Sequence, residues 1–192
     1  MHSCYKSKQY RMKKYFLLPL IALLSFTIQA QDAENLEDKF LKNTRQLIYE
    51  GNRSGEGYFS DDGRYLIFQS EREADNPFYQ IYILDFETGD INRVSPGHGK
   101  TTCSYFQWNG ERVMYSSSHL DPEARNKQKE ELEIRASGKE RRYAWDYETT
   151  MDIFTANRDG SDIQRLTDAE GYDAEGSYSP DGKLIVYSTN KD

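Results

Sequence analysis

The sequence predicts an all-β fold: a partial β-propeller of about two and a half four-stranded blades, with a short charged helical insertion in the second blade. Three observations predict it. A hairpin motif recurs three times, a second strand–turn–strand motif recurs twice, and the spacing from the second motif to the next hairpin is the same in both units. The hairpin motif reads Tyr58-Phe-Ser-Asp-Asp-Gly-Arg-Tyr-Leu-Ile-Phe-Gln-Ser70, Tyr105-Phe-Gln-Trp-Asn-Gly-Glu-Arg-Val-Met-Tyr-Ser-Ser117 and Ser177-Tyr-Ser-Pro-Asp-Gly-Lys-Leu-Ile-Val-Tyr-Ser-Thr189. Asp-Gly or Asn-Gly between apolar segments is a strong hairpin signal, because these residues tolerate positive φ. The runs Tyr65–Phe68, Val113–Tyr115 and Leu184–Tyr187 are apolar throughout, the pattern of strands covered on both faces.

The second motif pairs Gln80-Ile-Tyr-Ile-Leu-Asp-Phe-Glu-Thr-Gly-Asp-Ile-Asn-Arg-Val-Ser95 with Asp152-Ile-Phe-Thr-Ala-Asn-Arg-Asp-Gly-Ser-Asp-Ile-Gln-Arg-Leu-Thr167. Ser95 to Gly110 is fifteen residues, and Thr167 to Gly182 is fifteen again, so one four-stranded unit repeats. The units run over about residues 49–95, 96–167 and an incomplete 168–192. Gly63 to Gly110 spans 47 residues but Gly110 to Gly182 spans 72, so the second unit carries 25 extra. These fall within 119–146. Asp121-Pro122 is a helix start, with Asp121 as N-cap, and Ser137-Gly138 is a stop. Twelve of the twenty-one residues from Pro122 to Arg142 are charged, so this helix belongs on the surface. Its basic end, Lys139-Glu-Arg-Arg142, reads as a solvated face.

Residues 1–30 read as a leader. Lys6, Lys8, Arg11, Lys13 and Lys14 precede an apolar run from Tyr15 to Ile28, too short to cross a bilayer but right for a secretory signal. Ala30 sets the cut and Gln31 the new start; an uncleaved anchor is the other reading of the run. Residues 31–44 form a lead-in with a short helix. Removing the leader leaves 20 basic residues against 32 acidic, a charge of −12 over 162 residues. So acidic a chain is no nucleic-acid binder. Only Cys103 then remains, which rules out an internal disulfide. Aromatic residues make up 14% of the chain, which excludes a disordered class. The working class is an exported protein, periplasmic or secreted, with no integral span after leader removal.

The repeats resemble the WD40-like repeats of the TolB-type β-propeller family. The matching marks are Tyr178-Ser-Pro-Asp-Gly-Lys-Leu-Ile-Val-Tyr187, its variant Phe59-Ser-Asp-Asp-Gly-Arg-Tyr-Leu-Ile-Phe68, and the strands running to Arg-Val-Ser95 and Arg-Leu-Thr167. Gln107-Trp-Asn-Gly110 departs from the motif but keeps its turn chemistry. The resemblance covers residues 45–192 and implies a six-bladed propeller of the bacterial periplasm, with a Tol–Pal-like role in the cell envelope. Similar propellers precede peptidase domains, so the alternative it implies is a substrate-gating propeller of a larger hydrolase. Six blades of about 45 residues need roughly 270, so the chain reads as an amino-terminal piece. Arg45-Gln-Leu-Ile48 aligns with the closing strands and would latch a complete ring.

No catalytic motif emerges. There is no Gly-x-Ser-x-Gly elbow, no His-Glu-x-x-His zinc pair, and no phosphate-binding fingerprint at Gly97-His-Gly99; no cofactor is expected. Cys103, in an inner strand beside Tyr105 and Phe106, reads as a buried inert thiol. Asp159-Gly-Ser-Asp162 reads as a hairpin turn rather than a calcium loop. Binding is the better expectation. The loops entering each innermost strand, residues 50–57, 96–104 and 168–176, surround the central channel. They contribute Arg53, Glu56, His98, Lys100, Asp173 and Glu175 as candidate ligand-binding residues, with Glu56 and Glu175 at equivalent positions before an aligned Gly. One reading is a channel mouth for an envelope protein or peptide. The other is that these side chains satisfy neighbouring loop backbones.

Overall fold

The computed structural model of the chain describes residues 36–139 and 147–191. The expected leader and the basic end of the insertion lie outside the described residues. The chain divides into two compact units, Met1–Arg45 and Gln46–Asp192. Among the described residues of the first, a 3-10 turn spans Leu36–Lys39.

The second unit is a partial β-propeller. Strands β1 (Arg53–Phe59), β2 (Tyr65–Glu71), β3 (Gln80–Asp85) and β4 (Ile91–Arg93) form one antiparallel sheet in chain order. Strands β5 (Thr101–Phe106), β6 (Arg112–Ser117), β7 (Asp152–Asn157) and β8 (Gln164–Arg165) form the second. β9 (Asp173–Tyr178) and β10 (Ile185–Thr189) form a two-stranded third. Residues 45–48, which align with the closing strands, are not in a strand; Ile48 instead packs on the outer cluster of the first blade.

The same turn chemistry opens each blade. Gly63, Gly110 and Gly182 adopt φ of 69°, 67° and 68°, the left-handed region that glycine enters without strain. In the first and third turns a serine hydroxyl does two jobs. Ser60 donates to Asp62 Oδ1 at 2.6 Å and accepts from the Tyr65 N–H at 2.9 Å. Ser179 donates to Asp181 at 2.7 Å and accepts from the Leu184 N–H at 3.0 Å. Gln107 has no hydroxyl in that place; its turn is held by Gly110 N–H on the Gln107 carbonyl at 2.7 Å and by the Asn109 side chain.

The core lies between blades. Ile67, Ile81 and Ile83 of the first blade face Val113, Tyr115, Phe154 and Ala156 of the second, with Val94 and Phe106 completing the layer. Leu66, Phe68, Tyr82 and Leu84 form a separate cluster on the other side of the first blade. Met151, Tyr172 and Ala174 join the second blade to the third. The expectation that Leu184–Tyr187 is covered on both faces is not met. Leu184 is 70% and Val186 71% exposed, whereas Ile67 and Met114, at the repeat position of Val186, are fully buried. Among the described residues β10 has no strand on its far side and no blade packs over it, so apolar pattern and burial part company there.

The insertion forms α1 (Ala124–Ala136) on the surface, with Gly138 in the left-handed conformation just past its C-cap, Ser137. Its start differs from expectation. Glu123, not Asp121, occupies the N-cap position and makes no side-chain cap. Asp121 instead organises the turn before it, accepting from the Glu123 N–H at 2.9 Å.

Two outcomes follow from the burial contrast. Ile67→Ala lowers unfolding free energy by about 2–5 kcal/mol, while Val186→Ala, at the same repeat position, changes it by less than about 0.5 kcal/mol; urea unfolding of the two variants checks this. The unpaired β10 edge also drives concentration-dependent association of the chain, which Val186→Lys suppresses; size-exclusion chromatography with light scattering reads the difference.

Candidate functional site

The loops entering the inner strands β1, β5 and β9 lie on one face of the blades, with the β2–β3 loop and α1. The tight β1–β2 and β3–β4 turns and their counterparts lie on the other. This division follows from antiparallel order alone, since successive connections alternate between the two ends of a sheet.

Each inner strand carries a bulge at the same place. Pairing slips between Gly55 and Tyr58 in β1, between Thr102 and Tyr105 in β5, and opposite Val186–Ser188 in β9. The bulged residues are Glu56, Cys103 and Glu175, all at positive φ (46°, 54° and 58°), a conformation that non-glycine residues rarely adopt. A bulge kinks a strand and re-aims its side chain. Here it turns three side chains from three blades toward one another. The Cys103 thiol donates to the Thr102 hydroxyl at 3.4 Å, and the charges of Glu56 and Glu175 both act on it. Burial pushes the thiol up to about 11, against a hydrogen bond with Thr102 that pulls it down. It stays protonated, in line with an inert thiol. Crowding of the Glu56 carboxyl by protein raises its pKa, helped by Glu175 and opposed by Cys103. Glu175 accepts from the Ser188 hydroxyl at 2.9 Å.

The other candidates belong to three separate arrangements. Arg53 donates to Glu71 and lies over the Tyr79 ring at 5.1 Å. Lys100 pairs with Glu148 at 3.1 Å and lies over Phe78 at 5.3 Å. Both therefore enter the polar clamp that seats α1. His98 meets the His119 ring edge-on at 6.0 Å. Asp173 is buried at the start of β9, its N–H on the Met151 carbonyl at 2.9 Å, close enough to Asp152 to help raise that carboxyl. The structure thus brings Glu56 and Glu175 together, with Cys103 between them, and distributes Arg53, Lys100, His98 and Asp173 elsewhere.

The clamp escaped sequence reasoning. Gln128 is buried on α1; its Oε1 accepts from the Gly99 N–H at 2.9 Å and its Nε2 donates to the Asp75 carbonyl at 3.1 Å. Arg135 donates to Glu71 at 3.1 Å and to the Pro77 carbonyl at 2.9 Å. Lys127 bridges Asp121 and Glu148, at 2.6 Å each. Gly99 sits at the centre, its carbonyl accepting from Asn76 at 3.0 Å and Gln80 at 2.9 Å. A Cβ there would lie 2.9 Å from the His119 backbone. Burial works to raise the Glu71 carboxyl, but the hydrogen bonds from Arg53 and Arg135 outweigh it and hold the pKa below the usual carboxylate range.

One Ser–His contact is present: His119 Nδ1 lies 3.0 Å from Ser117 Oγ. Ser117 is fully buried and also bonded to Thr101, so it presents no nucleophile to a substrate. Burial between Phe154 and its neighbours lowers His119 to about 4, with the charges of His98 and Arg165 adding to the effect. Among the described residues no three His, Cys, Asp or Glu side chains are grouped to hold a metal ion, and no helix is long and apolar enough to cross a membrane.

Removing Gln128 leaves the buried Gly99 N–H without a partner, so Gln128→Ala costs about 1–3 kcal/mol, read by urea unfolding and by faster amide exchange at Gly99. Because the Glu71 carboxyl is depressed in the folded chain, its contribution is present above the unfolded-state value and is lost as pH falls through the lower folded one. Protease cleavage within α1 therefore rises on acidification, and Glu71→Gln brings that sensitivity to neutral pH.

No family model and no curated protein matches the chain. Solved structures do. TolB from Agrobacterium tumefaciens aligns over 76% of this chain and 41% of its own, at 20% identity with a TM-score of 0.52. TolB from Acinetobacter baumannii aligns over 68% of this chain and 25% of its own, at 19% identity and a TM-score of 0.47. The chain spans less than half the length of either.

Proposed function

We propose that this chain, a partial β-propeller of TolB type, is a non-catalytic scaffold of the cell envelope, exported to the periplasm or beyond. It binds a protein or peptide through the face onto which its inner strands open, in a Tol–Pal-like role. The observation that carries the reading is the convergence of Glu56, Cys103 and Glu175. Three blades each hold one residue at a strained backbone position, and two of those residues are carboxylates directed at the same place. Backbone strain kept at one locus in every repeat marks a place where side-chain direction matters more than local stability. Two carboxylates with a protonated thiol favour a cationic segment. The net charge of −12 after leader removal steers such a segment toward the face. Arg53, His98, Lys100 and Asp173 line or support the surrounding loops in this reading, and no cofactor takes part.

The test is affinity capture from an envelope extract with the full chain, beside the Glu56→Gln/Glu175→Gln double variant. Retention of a partner by the wild type and its loss from the variant supports the reading; the same captured set from both overturns it. Because the Glu56 carboxyl is raised, capture weakens on acidification at a higher pH than an ordinary glutamate would give.

A further inference from the structure

The opposite face holds a cleft that this binding role does not use. It lies between the first and second blades, bounded by the β3–β4 turn on one side and the β7–β8 turn on the other, with a volume of about 450 Å³. That is within the range of about 300–1,000 Å³ typical of small-molecule sites. Tyr65 and Ile83 give it an apolar wall, and Arg158, Asp90 and Asp159 reach it from the turns.

The charges around it are not equivalent. Asp85 is neutralised by Arg64 at 2.9 Å, and Arg93 by Glu73 at 2.7 Å. Arg158 is different. Its guanidinium lies over the Tyr65 ring, 4.6 Å from the centroid, while Arg64 stacks on the same ring at 5.0 Å. Arg158 is half-buried and forms no ion pair or hydrogen bond among the described residues; its field reaches Asp62 without contact. The Asp90 carboxylate likewise meets no cation, and Asp159 is bonded only within its own turn, to Ser161 at 2.6 and 2.9 Å. One guanidinium held in place by stacking thus shares the cleft with two carboxylates without cationic partners, Asp159 beside it on the same turn and Asp90 on the facing turn.

We infer that this cleft binds a free basic amino acid, lysine or arginine, through its carboxylate and its two cationic groups. The carboxylate docks on Arg158, whose fork suits two parallel hydrogen bonds. The ammonium groups meet Asp90 and Asp159, and the aliphatic stem lies along Tyr65 and Ile83. Charge sets the class. One unpaired cation against two anions leaves the cleft short by one positive charge, which lysine or arginine supplies and a neutral zwitterion does not.

The experiment is calorimetric titration of the full chain with L-lysine, with lysinamide (its carboxylate blocked) and with Gly-Gly-Lys. L-Lysine binds, and lysinamide binds at least about tenfold more weakly. Arg158→Gln lowers lysine affinity by about tenfold and leaves lysinamide unchanged, and Arg158→Lys falls between. Gly-Gly-Lys, whose lysine lacks the α-ammonium, binds more weakly than lysine; equal or tighter binding overturns the inference. Equal affinity for lysine and lysinamide, no effect of Arg158→Gln in a variant that melts like the wild type, or no binding at millimolar ligand overturns the inference. The Glu56→Gln/Glu175→Gln variant keeps lysine binding, so failure here and failure of the envelope-binding role are separable.

Discussion

Everything in the blade unit depends on one requirement: a twisted four-stranded sheet with apolar residues on both faces must have something to press against. Ile67 and Ile81 reach complete burial, and Ile83 comes close to it, only because Val113, Tyr115 and Phe154 stand opposite them. Neither sheet could exclude water from that layer alone, which is why propeller stability is a sum over interfaces as much as over blades. The two-stranded third sheet shows the same rule from its unsatisfied side. Its inner strand is held by contacts of Tyr172 and Ala174 with Met151, while Val186 faces solvent. The bulge in β9 has the same geometry as those in β1 and β5, so the local fold is set by strand and turn, whereas burial is set by the neighbour.

That separation decides what could be read in advance. The three glycine turns depend on residues within a few positions of one another, and Asp-Gly or Asn-Gly specifies them without help from afar. Repetition then turned three local signals into an architecture. The exposure of β10 is not legible because an apolar run such as Leu184–Tyr187 records the capacity for burial and not the presence of a covering blade. The clamp on α1 was illegible for a different reason. Gln128 bonds to Asp75, 53 positions away in the chain, and nothing in a charged helix distinguishes its one buried amide from its solvated neighbours.

The site shows both kinds of signal in one place. Glu56 and Glu175 are legible as equivalents because each precedes a glycine; at Gly176 a Cβ would sit 2.9 Å from the Met114 side chain. Cys103 is followed by Ser104 instead, so its equivalence was hidden by residue type although the register, two positions before Tyr105, was there to be counted. Arg53, Lys100, His98 and Asp173 were grouped by sequence position around the channel. Their side chains find partners elsewhere, Arg53 on Glu71, Lys100 on Glu148 and Phe78, His98 on His119, and Asp173 beside Asp152 of the second blade. Proximity in a loop therefore predicts a shared face better than it predicts a shared site.

The clamp also explains why an insertion so rich in charge is kept folded. Most surface ion pairs contribute little, because water and side-chain entropy offset the attraction. Those that tie α1 to the blades are different in one respect: Arg135 and Lys127 end on acids that are already buried. Glu71 and Glu148 have side chains only 3% and 8% exposed, and a buried carboxylate without its cations costs far more than the pair gains. Arg53 and Arg135 share the first, Lys100 and Lys127 the second. In each pair one cation comes from an inner-strand segment and the other from the helix. The acids therefore make the helix and the inner-strand segments conditional on one another. Displacing Arg53 or Lys100 would thus loosen α1 as well.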